Sequence, residues 1–194
     1  MTPPPDMRMR PSNPALEALT GSLQGQRDRL VIEWSEWITQ RMTEAPHIRR
    51  PTVERHLRLL VDILIETAGP FRRHATELWY VGCEVYGQTA AARGLAAGEV
   101  VEELQQLREL LIRLLSETIA SLPARQSIAG VLRLNRTLDR GITHAVVGYT
   151  DALVETLLNR RGVPIVASEP AEDEVLQRLA HLEEELTELR ERST

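Results

Sequence analysis

The sequence predicts an all-α protein, a five-helix bundle followed by a C-terminal coiled-coil helix. Leu, Ala, Glu and Arg dominate the 194 residues, and these residues form helices well. Apolar residues recur at spacings of three and four along most of the chain, which indicates amphipathic helices. The strict alternation typical of half-buried strands appears nowhere in the sequence. These observations together favour helices packed on helices.

The first predicted helix covers residues 14–44. It begins there because Asn13 is a good N-cap and the proline that follows suits the first helical position. Gly21 and Gly25 weaken its first half, where we expect fraying or a break. Residues 1–13 are rich in proline and polar residues and are predicted to be disordered.

Four further helices are predicted from apolar spacing and from the residues that interrupt it. They cover residues 52–68, 71–93 or 76–93, 97–122 and 124–161. Gly94 is suited to the left-handed conformation that ends the helix before it. Gly141 and Gly148 lie seven residues apart on the last helix, so a neighbouring backbone is expected to approach closely there. Residues 14–161 are thus expected to form one helical domain.

The end of the chain carries a separate pattern, after a predicted linker at residues 162–170. Apolar residues follow at alternating spacings of four and three within residues 171–194, among glutamates and arginines. They are Val175, Leu179, Leu182, Leu186 and Leu189. This spacing is that of a coiled-coil seam. A helix of about three heptads is marginal alone in water, so the sequence predicts a parallel homodimer joined by this segment.

Composition narrows the classes of function. The formal net charge is -5 and the basic runs are short and scattered, which argues against nucleic acid as a partner. Cys83 is the single cysteine, so no intrachain disulfide can form. The N-terminus lacks the apolar segment of a signal peptide, and no apolar run approaches the roughly 20 residues that span a membrane. We therefore expect a cytoplasmic protein that binds neither nucleic acid nor membrane.

The sequence contains no recognisable set of catalytic residues. None of the five histidines has metal-ligand spacing with another ligand, and no serine has an accompanying base. We therefore expect no enzymatic activity, no metal and no cofactor. Two alternatives stay open. His144 could ligate haem in a globin-like fold, and Cys83 could be either a thiol sensor or a buried core residue.

The aromatic residues also allow two interpretations. Four of them could line a ligand pocket between helices, or they could fill the core as its largest anchors. They are Trp34, Trp37, Trp79 and Tyr86. Arg108 and Glu103 likewise could belong to a polar network that a signal disturbs, or Arg108 could pair with Asp139 and fix packing.

Two stretches carry motifs of a known family. In the first, a glycine precedes a helix with apolar positions, an acidic residue and a Leu-Arg pair. In the second, an apolar-Asp pair precedes small and aromatic residues. The motif residues are Gly94, Glu103, Leu107, Arg108, Asp139 and Tyr149. These motifs resemble the N-terminal sensor domain of RsbRD-type proteins, the RsbT co-antagonist family, a domain also found ahead of bacterial histidine kinases.

The resemblance implies a non-haem globin-like sensor domain of bacterial stress signalling. Such a domain dimerises and passes a signal through its C-terminal helix to an output domain or a downstream signalling protein. Three functions therefore stay open at this point: a sensory or regulatory input module, a helical protein that binds haem or another ligand, and an adaptor that docks a partner through its acidic coiled coil.

Overall fold

A computed structural model of the chain describes residues 14–41, 48–68, 72–159 and 169–192. These residues form seven helices and no strand, so the prediction of an all-α protein is confirmed for them. The helices are α1 (Pro14–Gly25), α2 (Arg27–Thr39), α3 (Arg50–Glu66), α4 (Arg72–Ala92), α5 (Ala97–Ser121), α6 (Ala124–Asn159) and α7 (Glu169–Glu191). The predicted disorder of residues 1–13 and most of the predicted linker lie outside the described residues.

The first predicted helix is two helices, so the expected count of five is too low. α1 ends at Gly25, and Gln26 leaves the helical conformation with φ -100° and ψ 2°. Glycine favours such a break because it loses more backbone entropy in a helix than other residues do. α1 packs on α5 and α6, whereas α2 packs on α3 and α5.

α4 is the central helix, in contact with α3, α5, α6 and α7. Its approach to α6 is close. A Cβ added at Gly87 would lie 1.8 Å from a backbone oxygen of α6, and one added at Gly148 would lie 2.1 Å from the carbonyl oxygen of Glu84. A Cβ at Gly141 would lie 2.6 Å from an indole nitrogen of α4. The approach of a neighbouring backbone predicted at Gly141 and Gly148 is therefore confirmed at Gly148, whereas the close neighbour of Gly141 is the Trp79 side chain.

The corner between α4 and α5 turns at Gly94, whose φ of +80° confirms the predicted left-handed conformation. The Gly94 N–H donates to the carbonyl of Ala91 at 3.0 Å, and the Leu95 N–H donates to that of Ala90 at 3.1 Å. This pattern satisfies carbonyls that the helix end leaves free. The Tyr149 hydroxyl donates to the Leu95 carbonyl at 2.8 Å, which ties α6 to the same corner.

The C-terminal helix does not follow the sequence-based prediction. α7 begins at Glu169, inside the predicted linker, and packs on α3 and α4 of its own chain. Its apolar stripe is buried there. The exposed fractions are 7% for Val175, 0% for Leu179, 3% for Leu182, 3% for Leu186 and 7% for Leu189. The structure therefore does not support the predicted parallel homodimer seam, because α3 and α4 supply within one chain the burial that a lone amphipathic helix lacks.

Candidate functional site

Glu172, in the first turn of α7, is held at the start of α3. Its Oε1 accepts hydrogen bonds from the Arg49 backbone N–H at 3.1 Å and from the Thr52 hydroxyl at 2.5 Å. Its Oε2 accepts a bond from Arg49 Nε at 2.7 Å. Partial burial opposes ionisation, but the bonds from Thr52 and Arg49 hold the pKa of Glu172 below its usual range. The N-terminus of α3 also favours a negative charge at this position.

Three further charged pairs join α7 to α3, and the longest of them separates Arg190 Nη2 from Asp62 Oδ1 by 3.7 Å. Nε and Nη2 of Arg55 donate to the two carboxylate oxygens of Glu183, at 2.8 and 2.5 Å, and this bonding raises the pKa of Arg55. Arg190 Nε donates to Glu66 at 2.8 Å. Partly exposed pairs of this kind each contribute about 1 kcal/mol or less. The apolar stripe therefore provides most of the stability of the contact, and the charged pairs set its register.

Two open grooves run along the edges of α7. The groove between α3 and α7 has a volume of about 430 Å³ and includes Arg58 and Asp62 in its lining. The groove between α4 and α7 has a volume of about 290 Å³ and includes His74 and Glu185. Both are lined largely by polar and charged side chains. Water therefore reaches the edges of the α7 contact, where Leu186 and Leu189 line the grooves, while Leu179 is fully buried.

A second polar cluster lies in the core between α4 and α5. Arg93 donates from Nη2 and Nη1 to the two oxygens of Glu103, at 2.5 and 3.0 Å. The Tyr86 hydroxyl donates to Glu103 Oε2 at 2.5 Å, and Trp34 Nε1 donates to the Glu103 carbonyl at 2.8 Å. Burial, reinforced by the Glu103 charge, raises the pKa of Tyr86 well above its ordinary value. The cluster is thus a buried ion pair with a neutral phenol as its third member.

His56 of α3 borders this cluster. Its Nε2 lies 3.1 Å from the Gly82 carbonyl and must donate to it, because a carbonyl only accepts. Its ring meets that of Tyr86 edge-on at 5.3 Å. Burial lowers the pKa of His56 to about 4, and the Arg93 charge acts in the same direction. The ring is therefore neutral near pH 7, with Nδ1 as a buried acceptor that has no partner among the described residues.

α3 and α4 take part in both sites. On α3, Thr52 and Arg55 bind α7 while His56 faces the core. On α4, Gln88 accepts a hydrogen bond from Arg178 of α7, two residues from the buried Tyr86. A shift of either helix would therefore change the docking of α7 and the packing of the buried ion pair together.

The four aromatic residues proposed for a pocket are placed differently. Trp34, Trp79 and Tyr86 are at most 1% exposed and belong to the core. Trp37 is partly buried, with the Arg41 guanidinium 4.0 Å from the centre of its ring. An apolar cavity of about 50 Å³ does lie among α1, α3, α5 and α6, but none of these four residues lines it. Trp34, Trp79 and Tyr86 act as core anchors, and Trp37 packs against the core from its edge.

Arg108 pairs with Asp139 and so joins α5 to α6, which is the packing alternative that the sequence offered. Glu103 is not part of that pair. Its partners, Arg93 and Tyr86, were not identified as a polar site from the sequence. Leu107 is fully buried in the core.

The surroundings of His144 and of Cys83 indicate a structural role for both residues. His144 is half-buried on α6, with Nδ1 2.6 Å from Glu84 Oε1 and its ring stacked on Tyr80 at 4.3 Å. It lines none of the three cavities described above. Cys83 is fully buried, and burial raises the pKa of its thiol well above the usual value, which disfavours the reactive thiolate.

Within the described residues, no group of three or more His, Cys, Asp and Glu side chains is placed to hold a metal ion. No described helix combines the length and apolarity needed to cross a membrane. In comparisons with known proteins, the chain matches no family model, no curated protein and no solved structure. The functional argument therefore rests on the geometry of the α7 contact and of the buried polar cluster.

Proposed function

We propose that this chain is a non-enzymatic, cytoplasmic sensory or regulatory module of bacterial signalling, with α7 as its output helix. In the described state the bundle holds α7, and a stimulus acts by releasing it. The observation that carries the proposal is that α7 packs on α3 and α4 and on no other described helix. The motifs between Gly94 and Tyr149 resemble those of the RsbRD-type sensor family. Members of that family pass a signal through the C-terminal helix.

The apolar stripe determines what the released state of α7 requires. Each fully buried side chain of its kind is worth roughly 1.5–3 kcal/mol relative to exposure. A released α7 would expose several such side chains at once, including Leu179, Leu182 and Leu186. The open state therefore needs a second surface that buries the stripe. A signal shifts the balance only if it binds the closed and open states with different affinities.

The homodimer expected from the family resemblance stays part of the proposal, through another surface. Large apolar side chains that are exposed on one chain concentrate on α6. They are Ile128, Leu132, Val147, Leu153, Val154 and Leu157, with exposed fractions of 42–69%. Such a concentration is typical of an interaction surface. A dimer through α6 would leave each α7 docked on its own chain.

An adaptor function is the second candidate, and the outer face of α7 favours it. Acidic residues are exposed along that face while the stripe faces the bundle. They are Asp173, Glu174, Glu184, Glu185, Glu188 and Glu191. An adaptor would bind a basic partner on this face with α7 still docked, whereas an output helix must leave its groove.

Hydrogen exchange of the whole chain tests the proposal. We expect the amides of α7 to open at a lower free energy than those of α4 and α5, as a separate unit. Leu182→Asp should remove nearly all protection of the α7 amides from hydrogen exchange, while the amides of α4 and α5 stay protected. Ala180→Asp is the matched control, because Ala180 is exposed on the same helix. If α7 opens only together with α4 and α5, or if both variants behave alike, α7 is not a separable output helix.

A further inference from the structure

The groove that holds α7 fits the same helix from another copy of the chain. We propose that two copies exchange α7 reciprocally, so that each α7 docks on α3 and α4 of the other copy and the pair forms a homodimer. This inference rests on the proposed function, because exchange requires α7 to leave its own groove. It also gives the released apolar stripe a surface on which it is buried again.

The contacts of α7 make exchange feasible. Its hydrogen bonds to α3 join residues 120 to 128 positions apart, as in the pairs Thr52–Glu172 and Arg55–Glu183. It makes no packing contact with α6, the helix that precedes it in the chain. Every contact that holds α7 in one copy can therefore be reproduced between two copies without changing the geometry of the groove. Exchange of an identical element is a low-cost route to a dimer.

The order of charges favours a second copy over an unrelated acidic helix. The start of α3 presents Arg49 and Arg55 to α7, and the end of α3 presents Glu66. α7 meets them with acidic residues first and Arg190 last. A helix that is acidic throughout would place a carboxylate against Glu66, and like charges in contact repel. Every copy of the chain carries a helix with the matching order.

The covalent connection of α7 to its own chain determines whether α7 docks on that chain or on a second copy. Within one chain α7 is covalently joined to the bundle, and such tethering raises the effective concentration of a binding segment, in general up to the millimolar range. The closed form, with α7 docked on its own chain, is therefore favoured at micromolar protein, and exchange becomes dominant when docking within one chain is weakened relative to docking between chains. Complementary charge changes create that situation without altering the apolar stripe.

The experiment uses two full-length variants. The groove variant carries Arg55→Glu and Glu66→Arg, and the tail variant carries Glu183→Arg and Arg190→Glu. When either variant is alone, position 183 of α7 faces a like charge at position 55, and position 190 faces a like charge at position 66. This holds in the groove of the same chain and in the groove of a second copy. In an equal mixture both exchanged contacts are matched, since the altered tail fits the altered groove and the original tail fits the original groove. A chain with all four changes is the control, and we expect it to keep the mass of the unchanged chain, with α7 protected from hydrogen exchange.

We expect native mass spectrometry and light scattering to show a one-to-one heterodimer in the mixture, at least tenfold enriched over either variant's own dimer. Adding Leu182→Asp to the tail variant should weaken the heterodimer at least tenfold. Exchange is overturned if the heterodimer is not enriched in the mixture, or if it is enriched equally well with Leu182→Asp. A mixture without enrichment whose α7 exchanges hydrogen faster than in the unchanged chain would overturn exchange alone. A mixture without enrichment and with α7 fully protected would contradict the proposed release as well.

Discussion

Arg93, after the last turn of α4, and Glu103 of α5 form a two-pronged ion pair although their side chains are only 3% and 5% exposed. The pair spans the corner at Gly94 and is completed by the hydroxyl of Tyr86. Charges so far from water persist only when they compensate each other and have further hydrogen bonds. The position of α4 relative to α5 therefore depends on the ion pair between Arg93 and Glu103.

Breaking the pair should be costly. We expect Glu103→Gln to lower the free energy of unfolding by about 3 kcal/mol or more, because it leaves the Arg93 charge buried without a counter-charge. Glu102→Gln is the matched control, since Glu102 is exposed on the same helix and pairs with Arg41. It should change stability by about 1 kcal/mol at most. Urea unfolding measures both, and equal effects would show that the pair is not important for stability.

Stability should depend on pH through His56. The folded pKa is about 4 and the ordinary value is 6.5, so between these values the unfolded chain binds a proton that the folded chain does not. The contribution of neutral His56 is then complete above pH 6.5 and falls by up to about 3 kcal/mol as the pH drops to 4.

His56→Asn should flatten this dependence between pH 5 and 6.5, where His56 titrates only in the unfolded chain. Unfolding curves across this range measure the slopes. An unchanged slope in His56→Asn would contradict the buried neutral ring.

The anchor of α7 at Glu172 predicts an acid-sensitive contact. Its lowered pKa means that its stabilising contribution is present above the ordinary value of 4.5 and is lost as the pH falls through the folded pKa. We expect Glu172→Gln to lower the free energy of opening of α7 at neutral pH by about 1–2 kcal/mol, which makes the hydrogen exchange of its amides faster. Glu174→Gln should have little effect, because Glu174 is exposed and bonds only within α7. Similar exchange in both variants would argue against the anchor.

The contact of α4 with α6 should not tolerate a methyl group. Gly148→Ala would bring Cβ to 2.1 Å from the Glu84 carbonyl oxygen, so the two backbones must separate. We expect a loss of about 2 kcal/mol or more in unfolding free energy. Gly98→Ala meets no atom within 4 Å and should stabilise α5 by about 0.5 kcal/mol. Thermal unfolding compares the two, and a neutral Gly148→Ala would mean that the helices are further apart.

Much of the fold was predictable because helix signals are local. The spacing of apolar residues located the helices, and Gly94 marked a helix end through its own backbone preference. The partner of α7 was not predictable in this way. The spacing of Leu179, Leu182 and Leu186 shows that one face is buried, but a second helix of the same kind and a groove on the same chain satisfy that need equally well.

The buried polar cluster was predicted only in part, for a related reason, because Glu103 was expected in a polar network but its partners Arg93 and Tyr86 were not identified. Arg93 and Glu103 lie ten positions apart on either side of a turn, and only the conformation of Gly94 brings them together. A usable signal was present, since Glu103 lies on the apolar face of α5 beside Val100 and Leu107. An acidic residue at such a position requires a buried partner. His56 had a comparable signal between the buried Val53 and Leu60.

The long sequence separation between α7 and its groove also bears on biosynthesis. Helices α3 and α4 leave the ribosome well before α7 is translated, and domains begin to fold in that order. The face of α3 and α4 that α7 covers therefore stays without its partner until α7 has also been translated. Apolar side chains on that face are open to contact with other molecules, such as chaperones, during this interval.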